Sequence, residues 1–269
     1  IQIVQSEELT IAALNQLTKT EVINSNRGII YDRNKKEMAI NITKCNVFYN
    51  MDYLKQRKDE SESDFKNRKE KLYDEDAKTI SDVTGIDYDE IRSKMEGDKV
   101  VRLATNIERG KAQELKDLRT KTIKENKENK DHKKSNLIPM SIDDVTRRLY
   151  PFNNLASYII GFTNDENVGQ YGIEASYDEE LSGISGKSVS LKDNASNKIP
   201  LTDEETYAPK EGYSVVLSID SNIQQFAETA AINAKKEHDA DKVSVIVQDT
   251  MTGEILAMTT KDDYNLNNP

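Results

Sequence analysis

The pattern of apolar and polar positions predicts a helix and then a β-hairpin at the start of the chain. Apolar residues between positions 7 and 22 recur at helical spacing behind Ser6, a favourable N-cap residue. They are Leu9, Ile11, Ala12, Ala13, Leu14 and Leu17. A short apolar run at 29–31 then breaks at Asp32-Arg33-Asn34 and resumes at Met38, which predicts two strands around an Asx-rich turn. Even spacing would place Arg27 and Arg33 on one face of a regular strand and Asp32 on the other, so we expect an exposed, charged hairpin suited to docking.

The middle of the chain is dominated by charged residues with a sparse apolar stripe. A strand is predicted around 47–53, followed by a helix that Gly85 ends. The stripe of that helix consists of Phe65, Leu72, Tyr73, Ile80 and Val83. A second helix (87–95), a strand (100–106) and a helix opening at Ile107 follow, and the polar tract 121–136 is either a mobile loop or an exposed helix extension. Residues 55 to 146 therefore form a predicted inserted subdomain.

The last part of the chain carries the clearest periodicity. Short helices are predicted up to Gly161 and between Gly172 and Gly183, and a strand over 188–191. A buried strand at 214–220 leads to a helix with a Ser221/Gln224 capping box. The expected inner face of that helix is Ile223, Phe226, Ala227, Ala230, Ala231 and Ala234. Two strands, 243–248 and 254–259, complete a helix packed on an antiparallel sheet, so we predict an α+β fold.

Composition narrows the class of protein. The chain has 269 residues, a net charge of −10 and a sequence pI near 5.0, and we expect at least two domains. The acidic balance argues against a nucleic-acid partner. Cys45 is the only cysteine, so there is no disulfide framework, and we interpret it as a small core residue. No stretch has the length and apolarity of a transmembrane helix, and no signal-peptide pattern is present.

Several strings imitate catalytic motifs without the context that those motifs need. Ser63 and Lys66 have S-x-x-K spacing but lie in a highly charged, solvated segment. Gly186-Lys187-Ser188 lacks the earlier glycine of a phosphate-binding loop. His132 and His238 are isolated from each other, and nothing desolvates acidic pairs such as Glu179-Glu180. We therefore predict no catalytic residue, no metal and no cofactor in this chain.

The segment 27–39 resembles the R-G-x-I-x-D-R-N-G-x-x-L-A signature of class B penicillin-binding proteins. Arg27, Gly28, Asp32 and Arg33 match that signature. Lys35 stands where the family has glycine, and a positive φ there would cost about 1 kcal/mol unless Asn34 takes the left-handed position.

Further family-like motifs follow in the family's order. Arg148-Leu-Tyr150-Pro resembles R-x-Y-P, and Gly169, Gly172 and Glu174 resemble G-x-x-G-x-E. Residues 212–224 and 252–258 are similar to the entry of the transpeptidase domain. We assign the motif residues a partner-binding or structural role. They are Arg27, Gly28, Asp32, Arg33, Arg148, Tyr150, Gly169, Gly172 and Glu174.

The resemblance implies an elongated pedestal. Its expected parts are a membrane-proximal helix (1–26), a dimerisation-type pedestal (27–200) with β-hairpins and the helical head inserted at 55–146, and the start of a penicillin-binding transpeptidase domain (201–269). The reactive serine of S-x-x-K should come shortly after Met258, beyond this chain. The fragment would thus be the non-catalytic part of a peptidoglycan D,D-transpeptidase.

The family also implies a cellular setting. We expect an extracytoplasmic protein held at the cell membrane by an N-terminal anchor that is absent from this sequence, with cell-wall synthesis proteins such as a polytopic glycosyltransferase as partners. One alternative is a stand-alone extracellular interaction module on the same scaffold. Another is an intracellular charged-helix scaffold, which would leave the glycine pattern from Gly169 onward unexplained.

Overall fold

The chain divides into two compact units in a computed structural model, which describes residues 18–96, 99–128, 137–191 and 205–269. The inserted unit runs from Ile42 to Arg147. The flanking unit consists of the described residues up to Asn41 and from Arg148 onward. The expected 55–146 insertion starts later than the observed unit, and the assignment of three functional domains stays a prediction.

The two units mix helices and strands, and the predicted α+β class is confirmed. The strands are β1 (Thr18–Ile23), β2 (Ile30–Tyr31), β3 (Glu37–Asn50), β4 (Val100–Glu108), β5 (Met140–Leu149), β6 (Gly186–Leu191), β7 (Glu205–Tyr207), β8 (Val215–Val216), β9 (Val243–Gln248) and β10 (Ile255–Lys261). The helices are α1 (Glu62–Thr84), α2 (Tyr88–Lys94), α3 (Arg109–Glu128), α4 (Ser157–Ile160), α5 (Gly172–Ser176), α6 (Asp178–Ser182) and α7 (Ser221–His238), with a 3₁₀ turn at Met51–Tyr53.

The described strands of the flanking unit pair in three separate groups. β2 pairs antiparallel with the start of β3 and parallel with β8. β1, β6 and β7 form an antiparallel three-stranded sheet, and β9 pairs antiparallel with β10 under α7. A core cluster that includes Ile30, Met38, Tyr150, Ile160 and Leu181 lies between these elements.

The inserted unit has its own core. The second half of β3 pairs antiparallel with β4, and α1, α2 and α3 cover the strands. Tyr49, Ile80, Leu103 and Leu115 are completely buried there. The predicted helix ended by Gly85 is confirmed as α1, because Gly85 takes a left-handed φ of +76°.

The hairpin and the helix-on-sheet element are confirmed, but the start of the chain was predicted wrongly. The expected helix over 7–22, and with it the helix over 1–26, is wrong for 18–23, where β1 pairs with β6. Residues 1–17, which include the expected cap Ser6, lie outside the described residues. The cross-strand partner supplied by β6, more than 160 residues away, overrides the local helical spacing.

The face of α7 also differs from the prediction. Asp220, and not Ser221, is the N-cap, since its carboxylate accepts the Asn222 and Ile223 amides. Phe226 and Ala230, expected to be buried, are exposed.

Two polar side chains of α7, those of Gln224 and Glu228, lie inside instead. The buried strand expected at 214–220 is reduced to β8, in which Val216 is exposed. One helix expected between Gly172 and Gly183 is interrupted at Tyr177 into α5 and α6.

No helix in the described part of the chain combines the length and apolarity needed to cross a bilayer.

Candidate functional site: a buried arginine and glutamate junction

The carboxylate of Glu174 is the centre of a buried polar cluster in the flanking unit. Glu174 lies on α5 and is completely buried. Its Oε2 accepts the Arg27 Nε at 2.7 Å, and its Oε1 accepts the Arg148 Nε at 2.7 Å. One carboxylate thus bridges two arginines that are 121 residues apart in sequence. We call Arg27, Arg148, Glu174 and Asp178 the arginine junction.

Arg27 uses its whole guanidinium in this junction. Its Nη1 donates to Asp178 at 2.7 Å and to the Asn167 carbonyl at 3.0 Å, and its Nη2 donates to the Glu174 carbonyl at 2.8 Å. The fork geometry of a guanidinium makes this set possible, and a lysine could not reproduce it. Arg27 is only 4% exposed, so the expected exposed position on the hairpin is wrong.

Arg148 connects the junction to Asn41, the last residue before the inserted unit in sequence. Its Nη1 donates to Asn41 Oδ1 at 2.9 Å, and Asn41 in turn donates to the Arg27 carbonyl. The Tyr150 hydroxyl accepts the Thr163 amide and donates to Glu174 Oε1 at 3.4 Å. Burial raises the pKa of Tyr150, so its phenol stays protonated and available as a donor.

The formal charges of the arginine junction cancel. Two guanidinium groups face two carboxylates, and three of these four side chains are at most 3% exposed, while Asp178 is 33% exposed. A buried pair of this kind compensates its desolvation only when the geometry is good and every partner is present. Removal of one carboxylate would leave buried positive charge without compensation.

Glycines in the same motifs allow backbone segments to approach each other. A Cβ on Gly28 would lie 1.9 Å from the Tyr213 carbonyl oxygen, and one on Gly169 would lie 2.0 Å from the Glu174 carbonyl oxygen. Gly172 opens α5 with a φ of +60°. Any side chain at Gly28 or Gly169 would displace the backbone that carries the arginine junction.

The hairpin turn Asp32-Arg33-Asn34, which we call the DRN turn, contacts the start of α7. Asp32 Oδ1 accepts the Asn34 and Lys36 amides at 2.8 Å, and its Oδ2 accepts the Ser221 amide at 3.3 Å. Asn34 donates to the Asp220 carboxylate at 2.9 Å.

The chemistry of the DRN turn differs between its first two residues. Burial would raise the pKa of Asp32, but hydrogen bonds from Lys36, Ser221 and Asn34 outweigh burial and lower it. Asp32 is completely buried, which corrects the expected exposure. Arg33 lies in the turn, and not on the strand face expected for it, and pairs with Glu254 at 3.3 Å with about a third of its side chain exposed.

A second buried polar contact fixes α7 on its sheet. The Gln224 side chain donates to the Met258 carbonyl and accepts the Met258 amide, as a strand neighbour would. Glu228 accepts the Ala156 amide at 2.8 Å and lies 3.4 Å from the Lys261 ammonium. These contacts join residues 205–269 to α4 within the flanking unit.

The motif imitations lack catalytic surroundings. Ser63 and Lys66 are exposed in the first turns of α1, and Ser63 Oγ contacts the cap residue Ser61. Lys187 lies on strand β6 above the Tyr207 ring, a geometry unlike a phosphate-binding loop. His238 is exposed, and His132 lies outside the described residues. Within the described ranges, no three His, Cys, Asp or Glu side chains are grouped as metal ligands.

The arginine junction collects residues from three of the sequence motifs. Arg27, Arg148, Tyr150 and Glu174 meet directly, whereas Asp32 and Arg33 belong to the DRN turn. Sequence reasoning missed Asp178 and Asn41. The signal available for Asp178 was its i+4 position after Glu174 on a glycine-bounded stretch, but its arginine partner could not be identified from one sequence.

Comparison with known proteins gives consistent matches over most of the chain. Residues 22–217 match the model of the penicillin-binding protein dimerisation domain. The probable peptidoglycan D,D-transpeptidase PenA of Neisseria meningitidis is 27% identical over 258 residues, which are 95% of this chain and 39% of PenA.

Solved structures show the same fold. Penicillin-binding protein 2X of Streptococcus thermophilus aligns with a TM-score of 0.59 and 24% identity over 92% of this chain and 36% of its own. The complex of penicillin-binding protein 2 and MreC from Helicobacter pylori aligns with a TM-score of 0.62 and 21% identity, and the alignment covers 94% of this chain and 44% of the matched chain. The chain spans less than half the length of each of these proteins.

Proposed function

Because this chain belongs to the penicillin-binding protein dimerisation domain family, we propose that it is the non-catalytic pedestal part of a peptidoglycan D,D-transpeptidase. In this proposal the parent enzyme cross-links peptidoglycan through an acyl-enzyme serine, and the present residues hold its catalytic part in place. The parent would be anchored in the cell membrane and act on its extracytoplasmic side.

The observation that carries the proposal is that side chains of the family motifs form hydrogen bonds and ion pairs within this chain. Glu174 bonds to Arg27 and to Arg148, and all three side chains are buried. The DRN turn bonds to the start of α7 through Asp32 and Asn34. We therefore favour a structural over a partner-binding role for every motif residue except Arg33, which is partly exposed.

A fluorescent penicillin tests the catalytic half of the proposal. The chain of residues 1–269 should take no covalent label, whereas the gene product extended to its first S-x-x-K serine should be labelled. Labelling of residues 1–269 would refute the prediction that the reactive serine lies outside them. A gene that continues without S-x-x-K, S-x-N and K-T-G would support the stand-alone interaction module instead.

The partner half of the proposal needs a separate test. The Helicobacter pylori structure is a complex between penicillin-binding protein 2 and MreC. We propose that the present protein likewise binds cell-wall assembly proteins, a polytopic glycosyltransferase among them. Co-purification of the tagged, membrane-anchored parent should recover such a partner. Arg33→Glu should weaken recovery while leaving the circular dichroism spectrum unchanged. Unchanged recovery would exclude Arg33 from the contact.

A further inference from the structure

The carboxyl group of Asp76 is buried in the core of the inserted unit beside two hydrogen-bond donors. It lies on α1 with no exposed surface. Its Oδ2 accepts the Tyr49 hydroxyl of β3 at 2.6 Å, and its Oδ1 accepts the Leu137 amide at 2.9 Å. One carboxyl therefore ties α1 and β3 to the chain that enters β5.

The segment that Asp76 holds has a strained backbone. Leu137 has a φ of +61°, a left-handed value that is costly for a branched side chain. The following turn closes through the Met140 amide and the Leu137 carbonyl, and the Pro139 carbonyl accepts the Asn50 amide at the end of β3. Residues 137–140, which we call the return segment, thus depend on contacts at both ends.

No cation among the described residues compensates the charge of Asp76. Glu75, its neighbour on α1, adds negative charge, and Tyr49 and Tyr73 are the phenols beside it. Three cations of the helices packed on α1 are bonded elsewhere. Arg92 contacts Glu70 and Asp74, Lys111 donates to the Thr84 carbonyl, and Arg119 donates to the Ile138 carbonyl.

We propose that Asp76 is a proton switch that fastens the return segment when protonated and releases it when ionised. In the neutral form the carboxyl O–H donates to the Tyr49 oxygen and the carbonyl oxygen accepts the Leu137 amide. When the proton leaves to solvent, Tyr49 reverses its hydrogen bond and donates to the carboxylate. The charge then stays buried unless the return segment opens and admits water.

The pH range of this switch follows from the cost of burial. Burial raises the pKa of Asp76 from 3.8 to about 7, despite the hydrogen bonds from Tyr49 and Leu137 that lower it. The closed form therefore binds more protons than the open form between these values. Closure is strongest at low pH, weakens as pH rises through this window and levels off above the closed-state pKa.

Hydrogen exchange at the Leu137 amide, corrected for intrinsic exchange, measures the opening directly. We expect the opening constant to rise about 30-fold between about pH 5.5 and about pH 8.5. Asp76→Asn, which keeps the shape and both hydrogen-bond partners, should abolish this rise. Asp82→Asn, an exposed change on the same helix, should retain it.

The carboxyl carbon of Asp76 in the unsubstituted protein gives an independent measurement by NMR titration. A midpoint near neutrality supports the switch, and Tyr49→Phe should move that midpoint to higher pH because a donor to the carboxylate is lost. A midpoint near 4, or the full pH dependence of Leu137 exchange in Asp76→Asn, would overturn the proposal. If Asp76→Asn does not fold, the titration of the unsubstituted carboxyl decides.

Discussion

Lys35 stands where the family has glycine, and its backbone conformation is strained. It takes a φ of +62°. Asn34 does not have a positive φ, so Lys35 itself occupies the left-handed position of the turn. Its amide donates to the Asp32 carbonyl at 3.0 Å, so the turn geometry is held in place. The strain expected from the sequence is therefore present.

Lys35→Gly should stabilise the flanking unit by about 0.5 to 1 kcal/mol, because glycine relieves the Cβ clash but loses more entropy on folding. Urea unfolding of the two proteins measures the difference. Lys35→Ala removes the same charge and keeps the Cβ, so it should give no comparable gain. An equal gain from both variants would assign the effect to charge.

Glu174 is the residue whose loss should cost most. Glu174→Gln keeps the volume but leaves Arg27 and Arg148 with only the partly exposed Asp178 as an anion. Breaking a buried ion pair from one side costs roughly 3 to 5 kcal/mol. Urea unfolding should show this loss, and Glu179→Gln, an exposed carboxylate on α6, should change stability by less than about 0.5 kcal/mol.

At the scale of elements, the sequence patterns correctly predicted those features that depend on residues close in sequence. The DRN turn, the glycine stop of α1 and the strands β9 and β10 all follow from residues close in sequence. The helix expected over 18–22 is a strand because β6 supplies its partner, and Phe226 is exposed because Gln224 and Glu228 take the inner positions of α7. Those outcomes depend on contacts that one sequence does not display.

The candidate site likewise has features that were predictable from local sequence and features that were not. Its residue types were predictable from the motifs, whereas the pairing of Glu174 with Arg27 and Arg148 was not, since the partners are 147 and 26 residues away. The predicted capping box fails for a local reason. Asp220 precedes Ser221, and an ionised side chain one residue earlier can reach two amides at once.

Asp220→Ala should therefore destabilise α7 by about 1 to 2 kcal/mol, because it removes the cap and the bond from Asn34. Asp220→Asn should retain most of that stability. Asn222→Ala, an exposed change in the same turn, is the control and should cost little. Hydrogen exchange of the α7 amides is the measurement, and an equal effect of both alanine variants would contradict Asp220 as the cap.

At the scale of the whole molecule, the two units should respond to pH in opposite directions. The lowered pKa of Asp32 adds stability above its unfolded value of 3.8, and this stability is lost as pH falls through the folded pKa. The raised pKa of Asp76 has the reverse sign, since stability falls as pH rises from about 4 toward 7. Each unit carries one of these carboxyls.

Hydrogen exchange followed by mass spectrometry can separate the two responses. Peptides around Asp32 and the start of α7 should lose protection below about pH 4, whereas peptides around Asp76 and the return segment should lose it as pH rises toward 8. Asp32→Asn should reduce only the acid response. Loss of protection in both units over one pH range would contradict this independence.

The hydrogen bond between Asn41 and Arg148 makes the chain a natural acceptor for grafting. These two residues flank the inserted unit in sequence and touch each other through Arg148 Nη1 and Asn41 Oδ1 at 2.9 Å. A linker of about four glycine and serine residues could replace 42–147 and still close the chain. We expect such a shortened protein to retain the circular dichroism and cooperative unfolding of the flanking unit. Foreign domains with neighbouring termini could then be exchanged at this position without change to the arginine junction.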